Sequence, residues 1–174
     1  MSRRRTRVLK AARQRQILQQ YQRQRVRNRL AKPGRHPFIL VLDGLKAGYN
    51  VAKIFRSALA MGASAVHLSD IGPFDPAPAK GAFRKVPAHF HDNFRDVRAA
   101  LADQPYQWFA FSAGATTALP GVALPERAAF VFGHEETGLS FSAAAFPDVT
   151  WLRIPIAGPM QSLNVSVAAS IAMY

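Results

Sequence analysis

Apolar residues along the chain change their spacing near residue 36. From about Arg5 to Leu30 there is neither Gly nor Pro, and Gln, Arg, Leu and Ala dominate, all good helix formers. Val8, Ala12, Val26 and Leu30 share one face of such a helix, and Ile17, Leu18 and Tyr21 share another. The stripe is thin, so a helix here depends on docking to the body, a second subunit or a nucleic acid. Pro33 and Gly34 end it.

Beyond that point short apolar runs alternate with helical patterns. Phe38–Leu42 is a continuous apolar run bounded by turn signals, the mark of a buried strand. "NVAKIFRSALAMG" from Asn50 predicts a helix with Asn50 as N-cap and Gly62 as its stop. "AVHLSD" predicts a second strand, followed by a loop containing Pro73, Pro76 and Pro78. A helix from about Asp92 to Ala102, strands at "QWFAFS" and "AFVFG", a short helix after Gly138, a strand at "TWLRIPI" and a closing helix complete the reading. Strands alternating with helices imply an α/β fold, a mostly parallel sheet with flanking helices. No internal repeat is visible, which leaves a basic arm over residues 1–35 and one body over 36–174.

Charge sharpens that division. The net charge is +13, and residues 1–35 hold 13 of the 23 Lys and Arg with no Asp or Glu. The remaining ten cations balance all ten acids, so the body is neutral. A basic arm on a neutral body is the electrostatic footprint of a polyanion binder, most commonly of nucleic acid, against the plainer reading of a solvated tail. There is no cysteine, which excludes disulfides and thiolate metal sites. Of the five histidines only His89 and His91 stand close enough to suggest a metal pair, and alternating histidines near a strand end read more simply as surface residues, so no metal is expected. No apolar run approaches a membrane span and no apolar core follows the basic start, so the expected location is cytoplasmic.

Ligands of open α/β sheets bind beyond the carboxyl ends of the strands, where this chain places "LDGLKAGYN", "VFGHEETGLS" and "IPIAGPMQSLN". Gly133 and Gly138 have the spacing of a phosphate-binding loop, but Leu139 stands where its lysine belongs, and Glu135 and Glu136 repel a triphosphate. No G-x-G-x-x-G occurs. These absences disfavour a nucleotide-dependent phosphotransferase. What remains is glycine-loosened backbone, carboxylates and small polar groups beside apolar walls. Backbone groups can read a purine edge and carboxylates suit a cationic ligand, a description that S-adenosylmethionine fits.

In order, the three exits resemble the three motifs of the SpoU/TrmH branch of SPOUT RNA 2'-O-ribose methyltransferases. The first is Asn50 with Arg56, Ser57, Ala58 and Gly62; the second runs from Gly133 through Glu135 and Gly138 to Ser140; the third is Ile154-Pro155-Ile-Ala-Gly158-Pro-Met-Gln-Ser162-Leu163-Asn164. "KGAFRKVP" from Lys80 is similar to a linking segment of some members. The resemblance spans about Phe38 to Tyr174 and leaves the arm outside. Taken singly, Asn50, Asn164 and Ser162 read as caps, Arg56 as a surface cation, and Glu135, Gly133 and Gly138 as turn residues. Together, in order and in register, they carry the family pattern.

The resemblance implies a deep C-terminal trefoil knot, with S-adenosylmethionine bent in the crevice the knot makes. It implies methyl transfer to a ribose 2'-oxygen with Arg56 central, Asn50 orienting it, and Glu135, Ser162 and Asn164 shaping the site. Phe111, Ser112, Gly133, Ile154 and Leu163 would line the cofactor. A homodimer is implied, with the second subunit completing the site and the arm holding RNA. With no separate RNA-recognition domain visible, tRNA is expected rather than rRNA. A non-catalytic RNA-binding protein on the same fold is the rival from another class, against which the intact Asn50, Arg56, Glu135 and Asn164 count. Departures are Ala52, where many relatives have Gly, and Ile156, where Met is common. Only ten residues follow Asn164, room for a helix of about 15 Å.

Overall fold

A computed structural model of the chain describes residues 3–174. Helix α1 (Arg3–Asn28) is followed by β1 (Ile39–Asp43), α2 (Tyr49–Ala60), β2 (Ala65–Ser69), β3 (Ala88–His91), α3 (Phe94–Ala100), β4 (Gln107–Phe111), β5 (Thr117–Ala118), β6 (Ala128–Gly133), β7 (Val149–Arg153) and α4 (Val165–Met173). All pairings in the seven-stranded sheet are parallel, in the order β3-β2-β1-β6-β4-β7-β5. Every residue of β1 and β2 is buried, which is why β1 reads as a continuous apolar run rather than an alternating one.

Side chains still alternate between two cores. Leu40, Leu42, Leu68, Phe130 and Phe132 face α2 and α4, where Phe55, Phe74 and Phe83 fill the space. Ile39, Val41, Trp108, Ala110 and Val131 face α3 and its Phe94 and Val97. Gly62 ends the α2 region in the left-handed conformation, φ +68°, as the sequence suggests.

Three local expectations are corrected. Asn50 is not the N-cap of α2: the helix begins at Tyr49, its cap is Gly48, and no side chain satisfies that end. No helix follows Gly138; residues 139–148 form turns, because Phe141 and Phe146 are drawn against Phe94 (ring centroids 4.0 and 5.0 Å) and that packing fixes an irregular path. Strands β3 and β5 are additions to the expected set. β3 reads "AHFH", too polar for a core strand, and β5 has only two residues; both are edges of the sheet.

The second half of α1 docks on the body. Tyr21 is buried between Phe74 (5.2 Å, edge-on) and Phe83 (5.6 Å, stacked). Two turns further on, the buried Asn28 donates from Nδ2 to the carbonyls of Phe83 and Val86 (2.5 and 2.6 Å) and accepts from the Ala88 amide (3.0 Å). Asn28 therefore satisfies backbone groups of the segment that leads into β3, where no neighbouring strand reaches them. Arg25 lies over the Phe90 ring at 4.1 Å. The apolar face formed by Val8, Val26 and Leu30 is exposed instead, and residues 7–16 are exposed throughout.

Candidate active site

Strand order reverses direction of growth between β1 and β6, and an open sheet offers its crevice at such a switch, outside the carboxyl ends. A cavity of about 360 Å³ lies there. Its walls come from Phe111 and Ser112 at the end of β4, Gly133 to Leu139 after β6, Leu152, Ile154 and Ile156 around the end of β7, and Ser162, Leu163, Val165 and Ala168 beyond it. The volume lies in the range of small-ligand sites, and the walls pair apolar side chains with backbone and a few polar groups.

The turn after β6 explains its glycines. A Cβ on Gly133 would lie 2.4–2.5 Å from the backbone of Gly138 and Leu139, a distance no side chain tolerates. Gly138 adopts φ +77°, open to glycine at little strain. His134 and Gly138 exchange both backbone hydrogen bonds (2.8 and 2.9 Å), and His134 Nδ1 accepts from the amides of Glu136 and Thr137 (3.1 and 3.3 Å). The turn thus presents Glu135 and Glu136 at the cavity mouth.

A buried carboxylate anchors the far end of this turn. Asp43, 1% exposed at the end of β1, accepts from the Ser140 amide (2.7 Å), the Ser140 hydroxyl (2.9 Å) and the Ser69 hydroxyl (3.2 Å). Sequence reasoning misses Asp43, although an ionisable residue closing the run "ILVLD" is a signal for it. It also misses the pairing of Lys46 with Glu136. Their 2.5 Å ion pair spans from the loop after β1 to the turn after β6; the shared hydrogen bond raises the pKa of Lys46 and lowers that of Glu136, so both stay ionised.

Residues from all three motif segments meet at the rim. Asn50 donates from Nδ2 to Glu135 Oε1 (2.6 Å), and its Oδ1 accepts from Asn164 Nδ2 (3.2 Å). Asn164 Oδ1 in turn accepts from the Ser166 amide and hydroxyl (3.0 and 2.6 Å), which makes Asn164 the N-cap of α4 as well as a link to α2. Cap and site residue are the same side chain. Phe111, Ser112, Gly133, Ile154 and Leu163, together with Glu135 and Ser162, line the cavity. Arg56 is not brought there. It is exposed, seven residues after Tyr49 and three after Lys53 on the outward face of α2.

Helix α4 packs on α2, with Ser57 and Ser170 hydroxyls 2.9 Å apart, although its own strand β7 lies two places beyond β6. Residues 154–164 therefore cross the carboxyl ends of the intervening strands and close the cavity from above. The three-histidine group on the α3 side of the sheet is separate from this site: His67 Nδ1 lies 3.0 Å from His91 Nε2, and the His67 and His89 rings stack at 4.7 Å. Among the described residues no cluster of His, Asp or Glu is arranged to hold a metal ion.

Residues 37–174 match the family model of the SpoU rRNA methylase family. Among curated proteins, the 23S rRNA (guanosine-2'-O-)-methyltransferase RlmB of Burkholderia sp is 33% identical over 144 residues, covering 79% of this chain and 58% of the relative. The chain thus spans little more than half the length of such relatives. A solved structure described for the 2-OH methylation of C/U34 on tRNA is 28% identical and superposes with a TM-score of 0.70, covering 79% of this chain and 91% of the other. The SpoU methyltransferase AviRb of Streptomyces viridochromogenes, in complex with AdoMet, shares the fold at a TM-score of 0.69 and 24% identity, over 82% of this chain and 57% of that one.

Proposed function

This chain belongs to the SpoU rRNA methylase family, and from that premise we propose that it transfers a methyl group from S-adenosylmethionine to a ribose 2'-hydroxyl of RNA. The observation that carries the reading is the convergence of Phe111, Ser112, Gly133, Ile154 and Leu163 on one cavity, with the Glu135–Asn50–Asn164 chain at its rim. The donor set suits the cofactor. Apolar walls accept an adenine face, backbone groups of the turn can meet its edge, and Glu135 at the mouth, whose partner Asn50 is neutral, favours a cationic ligand. When bound, S-adenosylmethionine supplies an electrophilic methyl group. The crossing of residues 154–164 fits the threading of the family's trefoil knot.

A ribose hydroxyl is a weak nucleophile and has to be aligned as it loses its proton. The guanidinium of Arg56 offers paired donors and no acceptor, so its role is to grip the neighbouring phosphate in two-pronged fashion and stabilise the developing alkoxide. Asn50, held from both sides, sets the inner end of α2, while Ser162 and Asn164 shape the opposite rim. Because Arg56 lies outside the cavity of its own chain, a homodimer that offers it to the partner's cavity accounts for its position. The outward face of α4, with Val167, Ile171 and Tyr174 exposed, is the surface we assign to that contact. Residues 7–16 of α1, exposed and bearing Arg7, Lys10, Arg13 and Arg15, would hold RNA phosphates. Action in the cytoplasm accords with the cysteine-free chain; among the described residues no helix is long and apolar enough to cross a membrane.

Ribosomal RNA is the substrate class we favour, since relatives at about one-third identity are named for 23S rRNA. The tRNA expected from the sequence keeps one support, the C/U34 structure that the chain matches over nearly all of that structure's length. Methyl transfer from labelled S-adenosylmethionine to rRNA and tRNA, with Arg56→Ala as control, tests this. Label in rRNA that disappears in the variant is expected. Label in tRNA alone would move the substrate class, and cofactor binding without label in either would favour a non-catalytic RNA-binding protein.

A further inference from the structure

A second cleft, of about 450 Å³, opens between α1 and the start of α2. Arg13, Gln14, Ile17 and Leu18 form one side; Tyr49 and Asp75 are on the other. Tyr49 is 55% exposed and Leu18 42% exposed, so a flat aromatic ring and an aliphatic wall both face open space. Neither is needed by the core. The neighbouring Tyr21 shows what α1 does with an aromatic residue that belongs inside, burying it between two phenylalanines.

We propose that this cleft is a subsite for one unpaired nucleotide base of the RNA, next to the ribose that receives the methyl group. The inference rests on the methyltransferase reading above. Its chemistry is that of single-strand recognition: a ring for stacking, an aliphatic floor, and an amide and a guanidinium for the base edge or its phosphate. Charge complementarity selects nucleic acid over a protein segment, since one wall is the helix of an arm with 13 cations and no acid. Position selects the neighbouring nucleotide. Tyr49 stands two turns before Arg56 on the same outward face of α2, about 10 Å along the helix axis, so the base it stacks belongs to a nucleotide next to the one whose phosphate Arg56 grips. Along the same outward face of α2 follow Lys53 and Arg56, both exposed, one and two turns on. A strand laid along this face would meet a stacking ring first and then two cations. Asp75 is tied to its own turn, accepting from the Ala77 amide at 2.9 Å, and lies on the cleft wall, where a carboxylate suits an exocyclic amine.

The test uses RNA probes of about a dozen nucleotides carrying 2-aminopurine, a length that covers one single-strand site, as a single strand and as the same sequence in duplex, with the full chain and its Tyr49→Phe and Tyr49→Ala variants. Expected are fluorescence quenching and binding for the single strand, retention by Tyr49→Phe, and a roughly five- to hundredfold loss in Tyr49→Ala, about the range of one lost base stack. S-adenosylmethionine affinity, read by calorimetry, should stay within about twofold in both variants and shows that they fold. Equal single-strand binding by Tyr49→Ala, while the unaltered chain methylates RNA, would overturn the subsite and leave the enzyme reading standing. Failure of the unaltered chain to bind either probe or to methylate any RNA would overturn both. A change of oligomeric state in Tyr49→Ala, seen by sedimentation, would overturn the proposal in favour of a second copy seated in the cleft.

Discussion

Replacing Asp43 with Ala separates the anchoring of the turn after β6 from the cavity that turn forms. The carboxylate receives three hydrogen bonds, two of them from Ser140 and one from Ser69. A hydrogen bond to a charged group is worth about 1.5–3 kcal/mol, but Ser140 is partly exposed and regains water on truncation. Ser69, fully buried, does not. Removing the desolvated charge offsets part of the remaining loss, which brings the expected cost to about 2–3 kcal/mol, or a fall in Tm of about 4–12 °C for a domain of this size. Cofactor affinity should fall by more than about tenfold, because the far end of the turn from Gly133 to Leu139 loses its anchor and only the contacts of Glu135 with Asn50 and of Glu136 with Lys46 still tie it to the loop after β1 and to α2. Asp43→Asn retains an acceptor for the Ser140 amide and should recover most of both effects. Urea unfolding and calorimetric titration with S-adenosylmethionine provide the two readouts. A stability loss below about 0.5 kcal/mol, within ordinary surface effects, or a weakened cofactor that Asn fails to rescue, would refute the anchoring argument.

Gly133→Ala should lower cofactor affinity by more than about tenfold with native far-UV dichroism, since the new Cβ meets the Gly138 backbone at 2.4–2.5 Å and the turn must open; unchanged affinity would contradict the close approach. His67 is held neutral by burial and by the nearby His89 and His91, its pKa lowered to about 3. Its unfolded value is about 6.5, so the unfolded chain takes up a proton that the folded chain refuses: stability is full above that value and declines as pH falls toward 3, by about 2 kcal/mol between pH 7 and 5. Urea midpoints should show this slope and His67→Leu should reduce it, leaving the part that His89 and His91 contribute through their own lowered values; an unchanged slope would place the proton elsewhere. Deleting residues 1–16 removes seven Lys and Arg while sparing Tyr21 and Asn28. RNA binding should weaken and its dependence on the logarithm of salt flatten by about 0.7–0.9 for each phosphate no longer neutralised, with cofactor binding unchanged. An equal slope with and without the arm would count against phosphate binding by α1.

The sheet is legible in the sequence wherever burial is complete. Runs such as "ILVLD" and "AAFVFG" are apolar because both faces are covered, and that property is local. The edge strands β3 and β5 are not legible, because a polar or two-residue edge lacks a period of its own and depends on its neighbour for hydrogen bonds. Site residues are recoverable as ordered motifs, yet their contacts are not: nothing in the spacing of Asn50, Glu135 and Asn164 says that the first bridges the other two across 85 and 114 positions. Asn50 misleads in a second way. Its cap propensity suits a helix start, but the helix takes Gly48 as its cap and the Asn50 amide goes to Glu135. The docking of α1 is hidden because Tyr21 and Asn28 hold it by individual fit, without a stripe.

All seven strands lie before residue 154, while the cavity takes Ile154, Ile156, Ser162, Leu163, Val165 and Ala168 from the segment beyond β7. On a ribosome the complete sheet therefore exists as a polypeptide before the site does. Synthesis order separates folding from competence: a chain halted after Arg153 would carry every strand and no roof, and the Asn164 side chain that starts the final helix also closes the link to Asn50.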